Sequence, residues 1–245
     1  MRFLRSFGKF ALGSLFSLSL TLLLLISSLS QLTEYSNLKK IFSEALIEIR
    51  TKEVNITEAY HLIKYACKTQ ERINLPIDND TIELNCSQVE KVEERDFLNF
   101  LATKIFEKFY FKEYPCSVIE CLKKGDERNF LIIFSKEGNL FFKKIQNYLI
   151  LITAASCTGF ILVLENWQER AKGLGKVLFS TGLFYFIIKY SYSFFLPAQV
   201  REIKIVQDII NVFTQNFLYL FIFGILLLIL GYSLSYQKRK VKGRK

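Results

Sequence analysis

Four long apolar runs constrain this chain more than any other feature of its sequence. They cover residues 11–30, 148–164, 177–196 and 217–234. Each run is compatible with a helix that crosses a hydrocarbon core of about 30 Å. A backbone in lipid must satisfy its own hydrogen bonds, so each run is predicted to be helical. The sequence therefore predicts a mainly all-α integral membrane protein with four transmembrane helices.

The distribution of Lys and Arg predicts how these helices are oriented. The chain has a formal net charge of +10, and its basic residues concentrate in residues 1–10, 165–176 and 235–245. Short cytoplasmic segments are typically enriched in Lys and Arg. We therefore expect a multi-pass protein of the cell membrane with both termini in the cytoplasm. Residues 31–147 and 197–216 are then extracytoplasmic.

The first apolar run allows two interpretations. Residues 11–30 follow a basic start, and small residues occur near their end, as in a cleaved signal peptide. The run is longer than the usual apolar part of such a peptide, which favours an uncleaved anchor. Both interpretations place residues 31–147 outside the cytoplasm.

Residues 31–147 are predicted to form a small, mostly helical domain with disulfide bonds. This segment contains Cys67, Cys86, Cys116 and Cys121, an even number that indicates disulfides in an oxidising compartment. We prefer the most local pairing, Cys67 with Cys86 and Cys116 with Cys121, among the three that four cysteines allow. A zinc site is the rival interpretation, although only one histidine is present.

The same segment carries three Asn-x-Ser/Thr sequons, at Asn55, Asn79 and Asn85. Sequons on the outside of a cell are candidate glycan acceptors. The segment holds 18 basic and 19 acidic residues, so it lacks the excess of positive charge that nucleic-acid binding needs. We therefore predict no nucleic-acid partner, and no motif indicates a cofactor.

Periodicity predicts the local structure of this domain. Apolar residues at helical spacing predict helices over 38–49 and 59–66, and a third from Asp96 to Phe109. Ser117 and Glu120 form the pattern of a capping box. Pro, Asp and Asn residues predict a loop over 73–88. The apolar run 130–134 is either a strand or a helical turn.

Lys189 is the only formal charge within a predicted span. An intramembrane charge is a candidate functional group. The alternative is that Lys189 extends its ammonium group toward the nearby interface, where Tyr185, Tyr190 and Tyr192 suit an aromatic belt. Cys157 lies in the second run, either as a small apolar filler or as part of a thiol relay with the other cysteines.

Two further segments indicate contact with lipid. Residues 197–216 have the pattern of an external amphipathic helix. The C-terminal tail has a dense positive charge that suits anionic lipid headgroups at the cytoplasmic face. Its basic residues are Lys238, Arg239, Lys240, Lys242, Arg244 and Lys245.

The sequence contains no recognisable catalytic motif, and its single histidine disfavours most acid–base schemes. We therefore expect a protein that is not an enzyme, in which the external domain has a binding, assembly or accessory role with a protein partner. One alternative is a small transporter or channel component that uses Lys189. Another is a membrane thiol–disulfide oxidoreductase.

Overall fold

The computed structural model describes residues 2–50, 56–77, 80–123, 130–195 and 204–242. The described chain is mostly helical, as predicted. It divides into two compact units. The bundle unit contains Met1–Leu32 and Leu140–Lys245, and the disulfide unit contains Thr33–Asn139.

The regular elements follow one another along the chain with two short strands among helices. In order they are α1 (Arg2–Leu32), α2 (Tyr35–Arg50), α3 (Ile56–Ala66), β1 (Arg72–Ile77), β2 (Asp80–Asn85), α4 (Cys86–Val89), α5 (Glu94–Tyr110), α6 (Val118–Lys123), a 3₁₀ helix (Leu131–Phe134), α7 (Lys136–Val163), α8 (Trp167–Gly182), α9 (Phe184–Phe195) and α10 (Lys204–Lys242).

Four helical stretches in the described ranges are long and apolar enough to cross a membrane. They are Phe7–Leu32, Lys136–Val163, Trp167–Ser191 and Val206–Tyr236. Each overlaps one of the four apolar runs that the sequence predicted. Length and composition therefore confirm the coarse prediction and indicate a multi-pass membrane protein.

Helix extends further in the bundle unit than the sequence predicted. The predicted loop 165–176 is mostly α8, which begins at Trp167. The predicted amphipathic segment 197–216 is, from Lys204 onward, the first part of α10. No Gly or Pro lies between residues 204 and 216. Nothing in that stretch therefore interrupts the helical hydrogen bonds before the fourth apolar run begins.

The disulfide unit has an apolar core built by α3, the two strands, α4 and α5. Its buried residues are Tyr60, Cys67, Ile82, Leu84, Cys86, Val89 and Phe97. The hydroxyl of the buried Tyr60 donates a hydrogen bond to the Val92 carbonyl over 3.2 Å. A large aromatic side chain can be buried in this way without an unsatisfied hydroxyl.

The prediction of a loop over 73–88 is wrong, because strands β1 and β2 pair antiparallel there. The register runs from Arg72 opposite Asn85 to Ile77 opposite Asp80. Ile82 and Leu84 alternate with exposed residues and are buried, as one face of a sheet requires. Residues 78–79, between the two strands, lie outside the described ranges.

The capping box that the sequence predicted in the disulfide unit is confirmed. The Ser117 amide donates to Glu120 Oε2 over 3.1 Å, and the Glu120 amide donates to Ser117 Oγ over 3.4 Å. This is the predicted capping box, and α6 follows it. The apolar run 130–134 contains a 3₁₀ helix rather than a strand, with Ile132 buried.

Candidate functional site

Helices α8 and α10 lie antiparallel in the bundle unit and approach closely at glycines. Side chains at Gly182 and Gly224 would overlap the backbones of Phe221 and Phe179. A Cβ at Gly175 would lie 2.9 Å from the Leu228 amide nitrogen. The glycines are seven residues apart on α8, as Gly224 and Gly231 are on α10. Small residues at this spacing let two backbones come together over several turns.

Hydroxyl groups connect α1 to the other helices of the bundle. Ser17 and Thr181 share a hydrogen bond of 3.1 Å, and Ser19 and Ser156 share one of 3.2 Å. Ser19 is 4% exposed, so this contact lies inside the bundle. Interhelical hydrogen bonds between hydroxyls are a common way for helices to associate in lipid.

Three basic segments of the sequence meet at one end of the bundle. Lys9 forms an ion pair of 3.1 Å with Glu169, near the start of α8. Gln168 donates a hydrogen bond to the Leu234 carbonyl over 3.0 Å. The N-terminal segment, residues 165–176 and the end of the fourth span are therefore neighbours. The predicted grouping of residues 1–10, 165–176 and 235–245 on one side is consistent with this geometry.

Lys189 lies beside a small polar pocket in the bundle unit. The pocket has a volume of about 180 Å³ and is lined by Tyr185, Lys189, Gln207, Ile210, Asn211 and Thr214. The Lys189 ammonium donates to the Tyr185 hydroxyl over 2.8 Å and lies 5.2 Å from the centre of its ring. The sequence singled out Lys189, but it did not identify the amides of Gln207 and Asn211 as its neighbours.

The pocket lies near the ends of two candidate spans. Lys189 is two residues from the end of Trp167–Ser191, and Gln207 is one residue after the start of Val206–Tyr236. Polar side chains at helix ends are at the depth of the headgroups. This position favours the interpretation in which the Lys189 side chain reaches an interface.

Cys157 packs in the bundle as a small side chain. It is partly buried against Phe16, Phe160, Leu164 and Val177. The other four cysteines form Cys67–Cys86 and Cys116–Cys121, the pairing that we preferred from the sequence. Among the described residues no group of three His, Cys, Asp or Glu side chains could hold a metal ion. A role for Cys157 in redox chemistry stays a prediction.

Hydrogen bonds join the two ends of the disulfide unit. Asn139 Nδ2 donates to Thr33 Oγ1 over 3.1 Å, and the Tyr110 hydroxyl donates to the Thr33 carbonyl over 3.3 Å. All three residues are buried. Burial raises the pKa of Tyr110 above its ordinary value. The first and last residues of the unit are thus held together by groups that are shielded from water.

Tyr35 extends this arrangement into an aromatic layer with α5. Its ring centre lies 5.5 Å from that of Phe106 and 5.3 Å from that of Tyr110. Its hydroxyl donates to Glu107 Oε1 over 3.1 Å. Burial, and next the hydrogen bond to Glu107, raise the pKa of Tyr35. The layer fixes α2 against α5.

Helix α3 carries the two most exposed large apolar side chains among the described residues of the disulfide unit. Leu62 is 64% exposed and Tyr65 is 72% exposed. They line a groove of about 610 Å³ together with Glu58, His61, Lys64 and Lys68. Exposed apolar residues beside charges are typical of contact surfaces. The sequence predicted this helix from an apolar stripe that included Leu62, and in the structure Leu62 is exposed while Tyr60 is buried.

The predicted modification and lipid sites are only partly described. Asn85 is exposed, and its Oδ1 accepts hydrogen bonds from the amide and the hydroxyl of Ser87. Asn85 thereby caps α4, whose first residue, Cys86, is bonded to Cys67. Asn55 and Asn79 lie outside the described ranges.

In the basic tail the backbone of α10 is described to Lys242, and the side chains of Lys238, Arg239, Lys240 and Lys242 are not. Arg244 and Lys245 lie outside the described ranges.

No protein-family model matches the chain, and comparisons with curated proteins and with solved structures find no significant similarity.

Proposed function

We propose that the chain is a multi-pass protein of the cell membrane whose disulfide unit is extracytoplasmic and acts as a binding or assembly module. The observation that carries the proposal is the presence of two disulfides in a unit that follows the first candidate span and precedes the second. Disulfides persist in oxidising compartments and are rare in the cytosol. The compact core of the unit gives such a module a stable shape.

The charge at one end of the bundle supports the orientation. Three segments rich in Lys and Arg belong to that end, where Lys9 pairs with Glu169. Basic residues in short segments are retained in the cytoplasm. Both termini are then cytoplasmic, and the basic tail contacts anionic lipid headgroups there.

The face of α3 is the surface that best suits a protein partner. Leu62 and Tyr65 give it apolar area, while Lys64 and Lys68 outnumber Glu58 along the same groove. Tyr is enriched at binding interfaces because it combines a large apolar ring with a hydrogen-bonding group. A partner with apolar side chains flanked by carboxylates would complement this groove.

Crosslinking in native membranes tests the proposed role. We expect the full chain to form specific crosslinked complexes, and the double variant Leu62→Asp with Tyr65→Asp to lose them because the apolar contact is removed. Ile119→Asp is the matched control, since Ile119 is also an exposed apolar residue of the disulfide unit. The same complexes in wild type and in the double variant would contradict the assignment of this face.

The orientation has its own test. In intact cells, maleimide reagents that do not cross membranes should label the four cysteines of the disulfide unit only after reduction. A protease site placed after Lys245 should be cut only when the membrane is permeabilised. Cleavage of that site from outside in intact cells would contradict the proposed orientation.

The pocket beside Lys189 favours a second candidate, a small transporter or channel component. Lys189, Gln207 and Asn211 place hydrogen-bonding groups in the bundle unit around a small cavity. Polar groups within membrane helices often mark a path for ions or solutes. If Lys189→Leu folds and keeps full function in cells, this candidate is to be abandoned.

A further inference from the structure

A polar hollow lies beside the Cys67–Cys86 disulfide of the disulfide unit. It has a volume of about 510 Å³ and is open to solvent. Both cysteines line it, although Cys67 is only 7% exposed and Cys86 only 4%. Exposed polar side chains make up most of the remaining lining, among them Thr69, Gln70, Glu71, Arg72, Ser87 and Glu90. The hollow is therefore a route by which a reagent can reach this disulfide.

Asn85 lines the hollow and is also the acceptor residue of the sequon Asn85-Cys86-Ser87. Its side chain is exposed, and Oδ1 accepts hydrogen bonds of 3.0 Å from the Ser87 amide and 2.8 Å from the Ser87 hydroxyl. An N-linked glycan attaches to the other polar atom of the side-chain amide, Nδ2. The two hydrogen bonds hold Asn85 by its oxygen and leave this nitrogen available at the hollow.

The chemistry of the lining suits a sugar. Carboxylates, amides, hydroxyls and cations provide both donors and acceptors for the hydroxyl and acetamido groups of an N-acetylhexosamine. The described lining contains two cations, Lys68 and Arg72, and two carboxylates, Glu71 and Glu90, so its formal charge is zero. A neutral polar lining fits a sugar better than a phosphate, which favours cationic partners. The volume also lies in the range of small-molecule sites, about 300–1,000 Å³.

We propose that Asn85 carries an N-linked glycan whose first sugar lies in this hollow and shields the Cys67–Cys86 disulfide. The Asn85 Nδ2 forms a bond to C1 of an N-acetylhexosamine, and the bond from C1 to the diphosphate of a lipid-linked oligosaccharide breaks. The amide nitrogen gives one proton to a base of the transferring enzyme, and the lipid diphosphate leaves. Because Cys86 is buried in the folded unit, the transfer takes place before Cys67 and Cys86 pair.

The attached sugar then occupies the route to the disulfide. Thiolates reduce a disulfide by direct attack on a sulfur atom, so the rate depends on access to that atom. The proposal rests on the extracytoplasmic location proposed for the disulfide unit, since both the glycan and the disulfide belong to that side.

Glycopeptide mass spectrometry of the full chain from native membranes tests the site. We expect a glycan on Asn85 in the wild type and in Ser87→Thr, which keeps the sequon. Ser87→Ala and Asn85→Asp should lose it, although both keep a side-chain oxygen at residue 85 that can accept from the residue 87 amide. An unmodified Asn85 in a chain that passes the maleimide and protease tests of orientation would overturn the proposal and leave the location intact. A chain that fails those tests contradicts the location itself.

Reduction kinetics test the shielding. The folded full chain is treated with glutathione, and the cysteines that it frees are alkylated and quantified over time. We expect Cys67–Cys86 to be reduced on the order of tenfold faster in Asn85→Asp than in the wild type, because access to sulfur limits the attack. Cys116–Cys121 does not belong to the described lining, and its rate should be the same in both proteins.

Enzymatic trimming of the wild-type glycan separates the first sugar from the rest. An endoglycosidase that leaves one sugar on Asn85 should preserve the slow reduction of Cys67–Cys86. An amidase that removes the whole glycan should give the fast rate of Asn85→Asp. Equal rates with and without the first sugar would overturn the shielding.

Discussion

The bundle unit and the disulfide unit are both mostly helical, yet they bury different side chains. Among the described residues the bundle buries many hydroxyls: Ser19, Thr21, Ser28, Ser30, Thr153, Ser156, Thr181 and Thr214. The disulfide unit buries mainly large apolar side chains and cysteines, such as Phe97, Phe106, Leu84 and Cys121. Backbones approach closely at glycines in the first unit, which also buries Phe16, Phe160 and Phe217. The disulfide unit is held together by the packing of large buried side chains.

The difference follows from the solvent that each unit is proposed to face. Water drives large apolar side chains together, and each buried Phe or Leu stabilises the fold by about 1.5–3 kcal/mol. Lipid provides no such drive between helices, because its chains are as apolar as Leu. Small residues and hydroxyls are then the side chains that improve helix contacts. The composition of each core is therefore evidence about its surroundings.

The largest expected effect is on the close contact between α8 and α10. A side chain in Gly182→Leu would overlap the backbone of Phe221, and overpacking of this kind should cost about 3 kcal/mol or more. Unfolding in mixed detergent and dodecyl sulfate measures the change. Gly8→Leu is the matched control, because a Cβ at Gly8 has nothing within 4 Å. Equal stability of the two variants would show that backbone contact does not hold the bundle together.

The second effect concerns the covalent links of the disulfide unit. Cys67–Cys86 joins residues 19 apart and Cys116–Cys121 joins residues 5 apart. Loop entropy predicts a loss of about 3 kcal/mol when the first pair is replaced by Ala, and about 2 kcal/mol for the second. Hydrogen exchange in α3 and β2 measures the loss locally.

Exchange in α10 provides the internal control for both cysteine variants. The bundle unit contains neither disulfide, so its amides should keep their protection. A larger loss from the short loop than from the long one would contradict the entropic explanation.

The sequence revealed the spans well because their signal is strong and local. Runs of apolar residues identify helices in lipid without knowledge of their neighbours. Gly175 and Gly182 were missed for the opposite reason. Part of α8 is polar enough to resemble a loop, and the importance of its glycines depends on Phe221 and Leu228, which lie more than 35 residues away.

The hairpin of β1 and β2 was missed because two signals in the sequence conflict. Turn residues such as Pro76 outweighed the apolar residues at every second position, which are Ile73 and Leu75 in β1 and Ile82 and Leu84 in β2. The strands pair with each other, and the conflict is decided by burial of Ile82 and Leu84 in one core with Tyr60 of α3 and Phe97 of α5. The site beside Lys189 has the same limitation. Its charge is visible in the sequence, but its neighbours Gln207 and Asn211 come from another helix.

The smallest expected effect concerns the hydrogen bonds between hydroxyl groups in the bundle. Each should contribute less free energy than the burial of one large apolar side chain in the disulfide unit. Ser19 Oγ lies 3.2 Å from Ser156 Oγ, and each hydroxyl is also within hydrogen-bond distance of a carbonyl of its own helix, that of Phe16 or that of Thr153. Hydrogen bonds between membrane helices contribute about 0.6 kcal/mol on average. A double-mutant cycle of Ser19→Ala and Ser156→Ala should therefore give a coupling energy near this value, measured by unfolding in mixed detergent. Ser14→Ala, at an exposed position of α1, should change little. A coupling of several kcal/mol would mean that hydroxyl pairs, rather than the glycine contacts of α8 and α10, dominate the bundle.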